Sequence, residues 1–229
     1  MNQKAPEVHP SSEWVQRIFD RISGRYDLLN DCLSLGIHRL WKRAAIRALG
    51  PVQGKHILDA ATGTGDLAIR LAKVGAQVTG VDFSGNMLIR ARSRAPASLG
   101  VQFVQADVLK LPFKDHHFDS TVVSFGVRNF EDPKRGIEEL WRVTRPGGRL
   151  VILEFGGWMS FKGFTQWMAR SARLLGADPE AYAHLIESSC SFPSGVGFVR
   201  RFLENLAEVK TQSSRKIFFG VAHLYVLNK

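Results

Sequence analysis

The sequence predicts an α/β protein built on a doubly wound parallel sheet with helices on both faces. Three observations carry that expectation. Apolar runs of strand length alternate with helical patterns from residue 55 to 155, an order that calls for parallel pairing and crossover helices. The first run, "HILDA", leads into a loop with glycines at 63 and 65, which lets the backbone approach a ligand closely. Finally, 229 residues that are 45% apolar and 23% charged suit one sizeable soluble core.

Each element follows from its pattern. The first 50 residues read as a helical cap: Leu40, Ala44 and Ala48 with Trp41, Ala45 and Leu49 form an apolar face, and Arg39, Lys42, Arg43 and Arg47 a charged one. "KHILDA" reads as a strand, "GDLAIRLAKVG" as a helix, "AQVTGVDFS" as a strand and "GNMLIRARSRA" as a helix. "VQFVQADV" is extended, and "FDSTVVSFG" is a buried strand. "DPKRGIEELWRVT" is helical, with Asp132 as N-cap and Pro133 at its first position. "PGG" at 146–148 is a turn into the strand "RLVILEF". Beyond it lies an insertion with an aromatic stretch at 158–168, a helix at 197–206 and two closing extended segments. The whole, 1–229, is expected to be one domain: a cap over 1–53, a core over 54–157 and a substrate side over 158–229.

Net charge is +10, which raises the question of a nucleic-acid or lipid partner. The excess is spread almost evenly over 1–53, 54–157 and 158–229, without a basic tail, so no nucleic acid is expected. No apolar run reaches the length of a membrane span, and residues 1–14 lack the apolar stretch of a secretory signal. Cys32 and Cys190 stand in no ligand spacing, so a reduced, cytoplasmic setting and no metal are expected.

Gly63, Gly65 and Ala68 satisfy G-x-G-x-x-A, a dinucleotide spacing. In an open parallel sheet the ligand sits beyond the carboxyl ends of the strands. Asp82, at the end of the second strand, suits two ribose hydroxyls, whether of NAD or of S-adenosylmethionine (SAM). A second acid, Asp107, ends the third strand with Val108 beside it, where a carboxylate can accept from an adenine amino group and a backbone N–H can donate. A nicotinamide site would want a second mononucleotide-binding half, for which the remaining residues are too few and too helical. A phosphate-binding Walker loop is excluded because no Gly-Lys-Ser/Thr follows the glycines.

The succession "LDAATGTGD … VDFS … ADV … LPF … PGGRL" resembles the SAM-dependent class I methyltransferases, with their Rossmann-like sheet. "RYDLLNDCLSLGIHRLWKR" (25–43), "FGVRNFEDP" (125–133) and "RVTRPGGRLVILEF" (142–155) narrow the likeness. They resemble the signatures of the quinone-biosynthesis C-methyltransferases, which act on demethylmenaquinone and polyprenyl-benzoquinol. The resemblance runs over about residues 14 to 193, including "AYAHLIESSCSFP". "GGWMSFKGF" departs from the family's polar, proline-bearing loop, and "VAHLYVLNK" matches its last strand only loosely.

That resemblance implies methyl transfer from SAM to a ring carbon of a reduced prenylated quinone, demethylmenaquinol first and a benzoquinol second. It implies SAM contacts at Thr62, Asp82, Asp107, Val108 and Ser124, with Gly63 and Gly65 framing the loop; Asp59 reads as orienting that loop or as meeting the cation side of SAM. A ring carbon becomes nucleophilic when an adjacent hydroxyl loses its proton. Arg128 suits the stabilisation of that quinolate, because a guanidinium keeps its charge, and Asn129 suits a water or the second quinol oxygen. Against this, Arg128 also reads as an ion-pair partner of Glu131 or Asp132. Tyr26 and Asn30 are expected to line the quinol pocket. His38 reads equally as a proton acceptor and as a packing residue. The stretch 158–168 is either a lid touching prenyl tail and membrane surface or core packing. Methylation of another small molecule or of RNA, and a non-catalytic SAM-binding subunit of a quinone-synthesis assembly, stay open beside the main expectation, as does a homodimer.

Overall fold

A computed structural model describes residues 11–22, 31, 36–156, 178–207, 209–217 and 220–229. Helix α1 spans Ser12–Ile22 and α2 spans His38–Ala48. The alternating region then runs β1 (His56–Ala60), α3 (Asp66–Lys73), β2 (Gln77–Asp82), α4 (Gly85–Arg94), β3 (Gln102–Gln105), β4 (Phe118–Ser124), α5 (Pro133–Val143) and β5 (Thr144–Phe155). After it come α6 (Pro179–Ser191), a helical segment formed by Val196–Phe198 and Val199–Leu203, and the strands β6 (Thr211–Ile217) and β7 (Ala222–Asn228).

Among the described residues the strands form one seven-stranded sheet in the order β3-β2-β1-β4-β5-β7-β6. The first five are mutually parallel, as the alternation with helices requires. The winding reverses between β1 and β4, so the loops after those strands part there and leave a crevice. β7 inserts antiparallel between β5 and β6. Only residues 218–221 join β6 to β7, too few for a crossover, which makes that pair a hairpin.

Neighbouring residues on each central strand feed opposite cores, since side chains alternate along a strand. Leu58, Val123, Ile152 and Tyr225 pack with Ile137, Leu140, Trp141 and Phe198 on one face. Ile57, Val122, Leu153 and Leu224 pack with Trp41, Ala45, Leu49, Leu67 and Leu71 on the other. The expected N-cap Asp132 accepts from the N–H of Arg135 at 3.0 Å, and Ser84 caps α4 in the same way, accepting from that of Met87 at 3.1 Å.

Four local expectations need correction. Leu40 is 57% exposed: Trp41, Ala45 and Leu49 already fill the inward row of α2, and Leu40 lies about 100° round the helix from Trp41. Lys42 leaves the solvated face and ion-pairs Asp66 at 3.0 Å. The "PGG" turn lies inside β5, where pairing jumps from Phe118–Thr144 to Ser120–Arg149, so the intervening residues bulge from the ladder. The helical segment expected to reach 206 ends at Leu203.

Candidate active site

A cleft opens beyond the carboxyl ends of β1, β2 and β4, where open parallel sheets bind their ligands. Its shape rests on unusual backbone. Ala61 and Phe125, just past β1 and β4, hold φ of +50° and +58°, which costs energy in a residue with a β-carbon and is typical of functional loops. Between them Gly126 packs so closely that a β-carbon would come within 2.6 Å of Ala61 Cβ. The two loops touch there and form the floor.

Asp82 organises the wall at the end of β2. Its Oδ2 accepts from the N–H of Gly63 at 2.7 Å and its Oδ1 from that of Ser84 at 2.9 Å. Gly63 reaches this carboxylate with φ of +57°, a conformation that glycine adopts without steric cost. Burial pushes the Asp82 carboxyl above its ordinary range, against hydrogen bonds from Ser84, Gly63 and Phe83. Asp107 stands at the next strand tip, where its Oδ1 accepts from the N–H of Leu109 at 2.8 Å. Asp107, Val108, Ser124 and Asn129 all line the cleft with Gly63 and Asp82, so the structure brings those six expected residues together.

Four others, Arg128 among them, stand apart from the lining. Thr62 donates its hydroxyl to Asp59 Oδ2 at 2.6 Å and braces the loop from below. Gly65 caps α3 with φ of +78°, and a β-carbon there would lie 3.0 Å from the Phe103 ring, so it is needed for close packing. His38 starts α2 with Nε2 3.6 Å from Asp31; burial, then the charge of Lys42, lowers its pKa. It does not line the cleft, and the packing alternative fits its position. Tyr26, Asn30 and the stretch 158–168 lie outside the described residues.

Asp59 is the buried acid of β1, beneath the glycine loop. It is 1% exposed, and burial pushes its carboxyl up to about 7, opposed by the Thr62 hydrogen bond and by Lys42. Between the ordinary carboxylate range and pH 7 the folded chain therefore holds a proton that the unfolded chain has released, so this group makes stability fall as pH rises through that window. Asp59→Asn is expected to flatten the decline when urea midpoints are compared at pH 5 and pH 8. An equally steep decline in the variant would assign it to other groups.

Arg128 has a partner that its neighbours in sequence did not suggest. It does not pair with Glu131 or Asp132; its Nη1 reaches Glu154 Oε1 at 2.8 Å and the Phe125 carbonyl at 2.6 Å. The guanidinium lies 5.0 Å from the Phe155 ring centroid. Arg128 is 4% exposed and Glu154 1%. Among the described residues, four buried side-chain atoms lack hydrogen-bond partners: Arg128 Nε, Ser189 Oγ and both ring nitrogens of His223. His223 is the cross-strand neighbour of Glu154.

Sequence reading missed the roof. Val15 and Phe19 of α1 line the cleft, and Asp20 accepts a hydrogen bond from Ser84 Oγ beside Asp82. α1 also meets α6 and the residue before it: Trp14 Nε1 donates to Glu180 at 3.2 Å, and Arg21 pairs with Asp178 and Glu180. Val15, Ile18, Phe19 and Ile22 make an i, i+3, i+4, i+7 stripe, the signal that α1 has an apolar face to cover.

A family model described as the ubiE/COQ5 methyltransferase family matches residues 7–227. The ubiquinone/menaquinone biosynthesis C-methyltransferase UbiE of Bdellovibrio bacteriovorus is 38% identical over 226 residues, covering 94% of this chain and 96% of the relative. The demethylmenaquinone methyltransferase of Thermobifida fusca is 40% identical over 224 residues, covering 92% of each. Among solved structures, a SAM-dependent methyltransferase from Thermotoga maritima superposes with TM-score 0.66 at 18% identity, covering 94% of this chain and 99% of that one. The [4+2]-cyclase SpnF reaches 0.60 at the same identity, covering 95% and 96%, so the fold alone does not name the reaction. The family match along nearly the whole chain does: this protein belongs to the ubiE/COQ5 methyltransferase family and is a SAM-dependent C-methyltransferase.

Proposed function

We propose that the protein methylates a ring carbon of a reduced, prenylated quinone precursor, demethylmenaquinol in the first place, as a step of menaquinone synthesis. The observation that carries this reading is one cleft with acceptor groups, Asp82 and Asp107, under two strand tips and the polar Asn129 after a third. The names of the relatives supply the quinone class.

Asp82 would hold the ribose hydroxyls of SAM, Asp107 and the N–H of Val108 its adenine, and the Gly63 and Ser124 edges its amino-acid end. The closeness of Gly126 to Ala61 supports the fit, since any side chain there would fill the floor. When bound, SAM supplies an electrophilic methyl group on a sulfonium. The protein's own task is to raise electron density on the ring carbon and to exclude water. Asn129 offers hydrogen bonds to a ring oxygen, while Arg128, fixed by Glu154, contributes a permanent positive charge that favours the quinolate. Val15 and Phe19 supply apolar cover over the cleft.

Methyl transfer from labelled SAM tests the reading, with reduced demethylmenaquinone and a reduced benzoquinol precursor offered separately beside oxidised controls. Label in the reduced naphthoquinone is the expected result. SAM binding without label in either quinol would overturn the substrate.

Peripheral contact with an anionic membrane surface belongs to the same proposal. No described helix is long and apolar enough to cross a membrane, but Leu40 stands out from α2 beside the exposed Arg43 and Arg47, an arrangement that suits headgroups. The protein is expected to float with anionic vesicles at low salt, and Leu40→Ser to weaken that association. Failure of the unaltered protein to co-migrate would overturn membrane contact.

A further inference from the structure

Asn129 lines the β4 side of the cleft, and its amide oxygen is already engaged. His184 of α6 brings Nε2 to 3.2 Å from Asn129 Oδ1 across 55 residues of sequence. A carboxamide oxygen only accepts, so the imidazole nitrogen facing it carries the proton. Three surroundings hold that ring in place and neutral. Trp14 meets it edge to face at 4.8 Å and 83°. Burial, and then the positive charge of Arg128, push its pKa down to about 4. Trp14 itself is tied back to α6 through Glu180.

The consequence falls on the amide. With Oδ1 bound to His184, the NH₂ end of Asn129 is the part left for a ligand in the cleft, and an NH₂ group selects an oxygen that accepts. We propose that His184 is a positioning residue: by donating Nε2–H to Asn129 it fixes the amide so that the cleft receives an acceptor oxygen of the substrate ring, a deprotonated hydroxyl in preference to a protonated one. The inference rests on the quinol reading above and adds to it a protonation state and the residue that enforces it. Imidazole acts here through Asn129 and not on the substrate, since the nitrogen nearest the cleft residue is committed to the amide.

His184→Phe keeps a ring against Trp14 and removes the donor, whereas His184→Gln retains an N–H able to reach the amide oxygen. In the full-length protein His184→Phe is expected to lower kcat for the reduced quinol by about 10- to 100-fold, the scale of a misaligned reactant, with SAM affinity unchanged. His184→Gln is expected to restore most of that loss. In an Asn129→Ala background His184→Phe is expected to add nothing, because the two side chains act as one unit. A purely structural His184 would instead lose melting temperature and activity together and would make the glutamine and phenylalanine variants alike, which would overturn the proposal.

A second readout needs no substrate. Nitrogen-15 NMR of the imidazole is expected to show the Nε2–H tautomer at neutral pH and a mixture in Asn129→Ala; an Nδ1–H tautomer in the unaltered protein would overturn the proposal. If no quinol accepts label, the substrate reading fails while the tautomer still decides the role of His184.

Discussion

Arg128→Leu is expected to cost about 3–5 kcal/mol of stability, the range for removing one partner of a buried ion pair. Glu154 is 1% exposed. Once the guanidinium is gone, its carboxylate keeps, among the described residues, the backbone N–H groups of Phe155 at 2.9 Å and of residue 128 at 3.3 Å. Two neutral donors do not replace a cation for a desolvated charge. A loss of that size is a large part of the 5–15 kcal/mol by which a domain is stable. It should appear as a lower urea midpoint with an unchanged slope.

The double variant Arg128→Leu, Glu154→Leu removes both charges and is expected to recover most of the stability, since apolar replacement of a whole buried pair is often neutral. Its methyl transfer is nevertheless expected to stay at least about a hundredfold down, as for loss of a preorganised electrostatic group. A stable double variant with normal kcat would make Arg128 a scaffold residue and remove it from the quinolate proposal. Stability unchanged in the single variant would mean that the pair contributes nothing to holding the fold.

Asp82→Ala is expected to weaken SAM binding about a hundredfold, or about 2.7 kcal/mol, read by titration calorimetry. Two effects combine in it. The carboxylate provides charge-assisted acceptors for ribose hydroxyls, which are stronger than neutral ones. It also holds the N–H groups of Gly63 and Ser84, so the loop loses its brace when the acid is removed. Asp82→Asn keeps one acceptor oxygen and is expected to lose less. Because burial raises the carboxyl above its usual range, affinity is also expected to fall as pH is lowered toward the acid range, where protonation removes the acceptor charge. Equal affinity in Asp82→Ala and the unaltered protein would move the ribose elsewhere.

Much of this molecule is legible before it is folded. Strands and helices follow from periods of two and 3.6; Asp132 marks a helix start because a short polar side chain can accept from the first turn. Asp82 and Asp107 could be assigned to one end of the sheet because successive parallel strands all point their carboxyl ends the same way. Gly63 and Gly126 stand out as glycines, but only the structure separates their reasons, a positive φ at the first and contact with Ala61 at the second.

The sequence by itself therefore determined the α/β winding, the Asp132 cap of α5 and the row of strand tips at which a nucleotide-bearing ligand can bind. Each depends on neighbours within a few residues or on a topology with one common strand direction. Tertiary structure alone decided that Glu154, not Glu131 or Asp132, receives Arg128, that α1 roofs the cleft, that His184 meets Asn129 and that Thr62 and His38 face away from the lining. Those pairings join side chains from separate elements, and their partners are chosen by which loops and helices pack together, a choice that no local periodicity encodes.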